Sequence, residues 1–88
     1  MNISDPIEKM LAAAFDAAGI AYIHESEDVA GLTKGLDFFL PGFETHVEVK
    51  QFHSPRIAKQ MSRADNVIAI QGRGAAASFV AMLNWTPE

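Results

Sequence analysis

Two carboxylates and an amine, Asp37, Glu48 and Lys50, are the residues best suited to chemistry, and they fall on either side of Pro41-Gly42. A Pro-Gly pair suits the centre of a turn, so residues 36–40 and 43–51 are expected to form the two strands of a hairpin. Closed symmetrically about that pair, the hairpin sets Leu40 against Phe43 and Asp37 against His46. Side chains alternate across a strand, so Leu36, Phe38, Leu40, Phe43, Thr45, Val47 and Val49 share one face and Asp37, Phe39, Glu44, His46, Glu48 and Lys50 the other. The first face reads as core and the second as polar. In this register Asp37 lies diagonally across from Glu48, about 7–8 Å away between backbones, with Lys50 one step farther along the same face.

Two carboxylates at that spacing can close on one hard divalent cation, which takes oxygen ligands and leaves its remaining positions to water and substrate phosphate. Such an ion lowers the pKa of bound water and polarises a phosphoryl oxygen, while a neighbouring ammonium orients the nucleophile or offsets charge developing at phosphorus. Lys50 is placed for that part. His24, His46 and His53 lack the spacing of a zinc site. His46, expected opposite Asp37, is the histidine suited to support a ligand or move a proton.

The elements that must position these residues follow from local signals. Asp5-Pro6 starts a helix over 6–18, with Glu8 where a capping-box acid reaches back, Ile7, Leu11, Phe15 and Ala18 as its apolar stripe, and Gly19 as its stop. Residues 20–24 read as a first strand running into the acidic loop Glu25 to Asp28. The hairpin follows. From Ser54-Pro55 the period becomes helical to about residue 65, with Ile57, Met61 and Ala64 on one side and Arg56, Lys59, Gln60 and Arg63 on the other. Val67-Ile68-Ala69-Ile70 reads as a central strand, Gly72-Arg73-Gly74 as a tight connection, residues 75–83 as a third helix and residues 85–88 as a tail. The order α-β-β-β-α-β-α describes a single α/β domain over 1–88, a mixed β-sheet flanked by helices in which strands two and three are antiparallel and strands three and four are joined by a parallel crossover.

With those elements in place, Lys34-Gly35-Leu36-Asp37, a turn, Glu48-Val49-Lys50-Gln51, then Ser54 and Gln60 resembles the PD-(D/E)xK nuclease superfamily, and most of all its small VRR-NUC branch. The resemblance covers nearly the whole chain. It implies a minimal restriction-endonuclease-like core and hydrolysis of DNA phosphodiester bonds. By that likeness Asp37, Glu48 and the backbone carbonyl of Val49 hold Mg²⁺ or Mn²⁺, Lys50 assists attack, Gln60 matches the branch's helix glutamine, and Glu8 resembles an auxiliary acid of some members.

Composition bounds the remaining possibilities. A chain of 88 residues, 49 % apolar and 20 % charged, is one ordinary globular domain with a thin core. Small size with surplus apolar residues suits a homodimer. The net charge of −4 argues against a generic nucleic-acid coat, but its distribution is uneven. Acids crowd the first 30 residues, whereas Lys34, Lys50, Arg56, Lys59, Arg63 and Arg73 outnumber the acids between Lys34 and Arg73. Lys34, Arg56, Lys59, Arg63 and Arg73 are therefore the candidate contacts to DNA phosphates. The absence of cysteine excludes disulfides and thiolate metal sites, and no apolar run approaches the roughly 18–20 residues that span a bilayer. Together with the lack of a secretory leader pattern, this gives the expectation of a cytoplasmic, non-membrane protein. The competing expectation is a nuclease-fold domain without hydrolytic action that engages a protein or nucleic-acid partner, with the acidic N-terminal third as its contact surface.

Overall fold

The computed structural model describes residues 3–50 and 55–85. Helix α1 spans Pro6–Ala18, as its signals require. The Asp5 side chain accepts the N–H groups of Ile7 and Glu8 at 2.8 and 3.0 Å, Pro6 occupies the first turn, and Gly19 closes the helix in the left-handed conformation at φ 71°. Glu8 does not act as a capping-box acid: its carboxylate meets the His24 ring, described below. The remaining elements are β1 (Ile23–His24), β2 (Phe38–Leu40), β3 (Thr45–Lys50), α2 (Ile57–Met61), β4 (Val67–Gln71) and α3 (Arg73–Leu83). Strand β1 is shorter than the apolar run suggested, β2 begins only at Phe38 and leaves Leu36 and Asp37 just before it, α2 is cut to five residues, and α3 begins two residues earlier than expected. Gln51, the connection through His53, the helix start at Ser54 and residues 86–88 lie outside the described residues.

The four strands form one sheet in the order β1-β2-β3-β4, antiparallel up to β3 and parallel between β3 and β4. This is the small α/β domain with a mixed sheet that the element order predicts, except that β4, read from its apolar run as a central strand, lies at the edge of the sheet beyond β3. The hairpin register differs. Leu40 pairs with Thr45, Phe39 with His46 and Phe38 with Val47, so the pairings Leu40–Phe43 and Asp37–His46 are not formed. Pro41–Phe43 coil into a 3₁₀ turn and Glu44 takes the left-handed conformation at φ 48°, which lengthens the loop by two residues on the β3 side only. A shift of two leaves the residues that remain in the strands on their expected faces, because the side-chain period of a strand is also two; Phe43, expected on the core face, instead lies in the turn and is exposed, and Glu44 leaves the strand with it.

The apolar face is closed by α1 and α3. Phe15, fully buried on α1, sits at its centre with ring centroids 5.4 Å from Phe38, 5.6 Å from Tyr22 and 6.4 Å from Phe79. Ile7, Leu11, Leu40, Val47, Val49, Ile70 and Ala76 complete this core. Burial of such side chains contributes roughly 1.5–3 kcal/mol each for the larger ones, which commits β2 and β3 to turn their alternate residues the other way.

Candidate metal and phosphate site

Continuing the β2–β3 register one step beyond Phe38 places Asp37 directly opposite Glu48, closer than the diagonal placement expected from a symmetric turn. The two residues hold each other. The Asp37 backbone N–H donates to Glu48 Oε1 at 3.1 Å, and the Val49 N–H donates to Asp37 Oδ2 at 2.7 Å. Each carboxylate thus has one oxygen fixed by a main-chain donor of the facing segment. Glu48 is 3 % exposed, and its other oxygen lies 3.4 Å from Lys50 Nζ.

The backbone of β3 explains why these donors are available. His46 N–H donates to Asn66 O at 2.8 Å and Lys50 O accepts from Gly72 N–H at 2.7 Å, so these residues face β4. By strand alternation Val49 turns both its N–H and its carbonyl toward the β2 side. There β2 has already ended, and Asp37 supplies a side-chain acceptor in place of a ladder partner. The Val49 carbonyl therefore lies on the same strand edge as the two acids.

Electrostatically the site is short of positive charge. Burial is the main reason the Asp37 carboxyl is pushed up to about 8, and the negative charges of Glu48 and Glu8 push the same way, against a partial offset from the Val49 N–H. A cation with oxygen preference fits this donor set, because it would neutralise the like charges that two close carboxylates cannot otherwise both carry. No group of three or more His, Asp or Glu placed to hold one ion occurs among the described residues. Ligation would therefore rest on Asp37, Glu48 and the Val49 carbonyl, with solvent or substrate oxygens completing the shell.

The other predicted residues are distributed as follows. Glu8 is close enough to act on Asp37 through its charge, and its Oε1 lies 2.6 Å from His24 Nε2. His24 is itself fixed through Nδ1, which accepts the Ser26 backbone N–H at 3.1 Å and lies 2.8 Å from Ser26 Oγ. The partnership of His24 with Glu8 spans 16 positions and has no local sequence signal. Gln60 lies on α2 with a buried Oε1 that has no hydrogen-bond partner among the described residues. Arg63, just past α2, donates from its guanidinium to the Gly35 carbonyl at 3.3 Å. Gly35 has φ 78°, the left-handed conformation that favours glycine, and a Cβ there would displace only the movable tip of the exposed Arg63 guanidinium, 2.9 Å away. This contact anchors the far end of the α2 segment two residues before Asp37. Lys34, Arg56, Lys59 and Arg73 are exposed. His46 does not face Asp37: it is 5 % exposed, its ring lies 4.7 Å from that of Phe39, and Nε2 donates to the Leu32 carbonyl at 3.0 Å.

Comparison of the chain with protein-family models, with curated proteins and with solved structures found no match. No helix among the described residues is long and apolar enough to cross a membrane.

Proposed function

We propose that this chain is a nuclease of PD-(D/E)xK type that uses Mg²⁺ or Mn²⁺ to hydrolyse DNA phosphodiester bonds. The observation that supports it most is the reciprocal clamp between Asp37 and Glu48, a half-buried and a buried carboxylate held against each other beside one ammonium. When bound, the divalent ion would supply Lewis acidity at a phosphoryl oxygen and a more acidic water. Asp37, Glu48 and the Val49 carbonyl are the groups that would hold it. Lys50, held toward Glu48 Oε2, is within reach of a nucleophilic water and of charge growing at phosphorus. Glu8, fixed by His24, adds negative field on the Asp37 side, and Lys34, Arg56, Lys59, Arg63 and Arg73 are the residues available to phosphates along the strand. Nicked and branched DNA are the substrates best suited to a pair of such sites in a homodimer.

A second copy has an available seam. No strand covers the outer edge of β4 among the described residues. Asn66 and Gly72 face β3, so by alternation Val67, Ala69 and Gln71 turn their N–H and C=O groups outward. The strand carries no charge, proline or bulge to discourage pairing. Ala69→Pro removes one outward donor without touching the β3 ladder and is expected to convert a dimer to a folded monomer in light scattering.

The nuclease reading is tested with purified protein, Mn²⁺ and single-stranded, nicked and branched DNA. Cutting is expected, and Asp37→Ala, Glu48→Ala and Lys50→Ala are each expected to abolish it. Cutting that survives all three substitutions would discard the assignment to Asp37, Glu48 and Lys50, whereas partner capture with no cation affinity would replace the enzyme with a binding module.

A further inference from the structure

On the same sheet face as Glu48, one alternate position back along β3, a recess of about 320 Å³ opens beside His46. Its walls include Lys34, Phe39, Glu44, His46, Asp65 and Asn66. The volume is at the lower end of the roughly 300–1,000 Å³ usual for small-ligand sites, enough for one flat heterocycle and too small for a base pair. His46 and Glu48 are two residues apart on one strand, hence about 6.6 Å apart along it. A group seated here would therefore adjoin a phosphate at the acid pair.

The polar character of the walls selects the ligand. His46 Nε2 donates to the Leu32 carbonyl, which leaves Nδ1 as an acceptor in the neutral ring, and that atom is buried without a partner among the described residues. The Asn66 amide nitrogen is engaged with the Glu44 carbonyl at 3.2 Å, so its free oxygen is a further acceptor. Glu44 and Asp65 add two carboxylates, and Lys34 is the cation among the lining residues. The Phe39 and His46 rings, inclined at 36°, provide an aromatic wall. Acceptors predominate around an aromatic surface, and this matches a nucleobase that carries an exocyclic amine.

We infer that this recess binds a single unpaired amino-bearing nucleobase next to the phosphodiester held at Asp37 and Glu48, which makes nucleic acid with unstacked nucleotides the preferred substrate class. The inference rests on the nuclease reading for its link to a phosphodiester, but the recess itself is tested without metal or cleavage. Cytidine and uridine, neutral nucleosides that differ at one amine-for-carbonyl position, are titrated into the metal-free protein and followed by amide and histidine-ring NMR. Cytidine is expected to perturb His46, Asn66 and Leu32 saturably and to bind about tenfold tighter than uridine, the discrimination of one good hydrogen bond. Asp65→Asn and the Asp65→Asn/Glu44→Gln pair, both at exposed positions, turn charged acceptors into neutral ones and are expected to reduce that preference stepwise while leaving the spectrum of the core unchanged. Equal binding of the two nucleosides by the unsubstituted protein, no saturable perturbation by either, or a preference that is undiminished in the double variant would overturn the inference. Cytidine binding in a protein that cuts nothing would overturn the nuclease reading and leave the recess standing.

Discussion

Asp28 and Asp37 stand on either side of the same loop and have opposite electrostatic fates. Asp28 is surrounded by donors: its two oxygens accept the Leu32 N–H at 3.0 Å, the Thr33 N–H at 2.8 Å and the Thr33 hydroxyl at 2.6 Å. Those bonds from Thr33 hold it below the usual carboxylate range. Asp37 accepts one main-chain N–H among the described residues, that of Val49, is half-buried and faces Glu48, and it is pushed up to about 8. The negative charge of Asp28 is used in folding the loop. Asp37 is given no counter-charge and so holds its proton up to about pH 8 in the metal-free chain, and groups whose ionisation the fold leaves uncompensated are where binding chemistry is concentrated.

The largest consequence of this difference concerns cation affinity. Asp37→Ala is expected to weaken Mn²⁺ binding by on the order of 100-fold or more, since even groups that only support metal ligands cost about 10–100-fold when removed. Asp28→Ala is expected to leave it within about twofold. Calorimetric titration of the two variants checks this, and equal losses would mean that Asp37 is another loop staple. Because a metal ligand must give up its proton, the affinity of the unsubstituted protein should also climb as pH rises toward 8.

Stability should respond in the opposite sense at the two positions. Asp37 keeps its proton up to about pH 8 in the folded chain but releases it near 3.8 when unfolded. Between those values the folded state binds more protons, so metal-free stability falls as pH rises and the full penalty is present above about 8. Asp37→Asn, which keeps an acceptor for the Val49 N–H, is expected to stabilise the metal-free protein at pH 8 by on the order of 1–2 kcal/mol after discounting for solvent screening, with the gain gone below about pH 4. Asp28 has a depressed folded pKa, so its contribution is present above the ordinary carboxylate range and is lost as pH falls. Asp28→Ala should therefore destabilise at neutral pH and lose its effect in acid. Urea unfolding of both variants across this range would break the comparison if the two moved in the same direction.

Sequence patterns made much of this arrangement legible. The limits of α1 follow from Asp5, Pro6 and Gly19, because capping geometry is local chemistry. The separation of Asp37, Glu48 and Lys50 from Phe38, Val47 and Val49 follows from strand alternation, which an even register shift cannot disturb. The register itself was not legible. It depends on Glu44 adopting a left-handed conformation after a 3₁₀ turn, a choice that alternation does not constrain. Glu8 is the other case: the capping-box pattern is satisfied in sequence, but a partly buried histidine 16 residues away offers the carboxylate a charge-assisted bond that an exposed helix end does not. His46 stands opposite Phe39 and not Asp37 because of the same register, and its contact with Leu32 depends on the loop that Asp28 folds.

The smallest expected effect separates the contributions to Asp37 itself. Burial leads, the charge of Glu48 follows, and that of Glu8 is weaker still. Glu48→Gln should therefore lower the Asp37 pKa more than Glu8→Gln does, and neither should return it to the ordinary value, because the desolvation that dominates is left in place. Carboxyl ¹³C titration of the metal-free variants measures both shifts. If Glu8→Gln gave the larger one, the helix acid and not the facing strand acid would be the nearer negative charge, and the centre of the proposed cation site would move from the β2–β3 pair toward α1. If either substitution alone restored an ordinary carboxyl, burial would not be the leading cause. The contrast with Asp28 would then come down to one neighbouring charge instead of the scarcity of donors around Asp37.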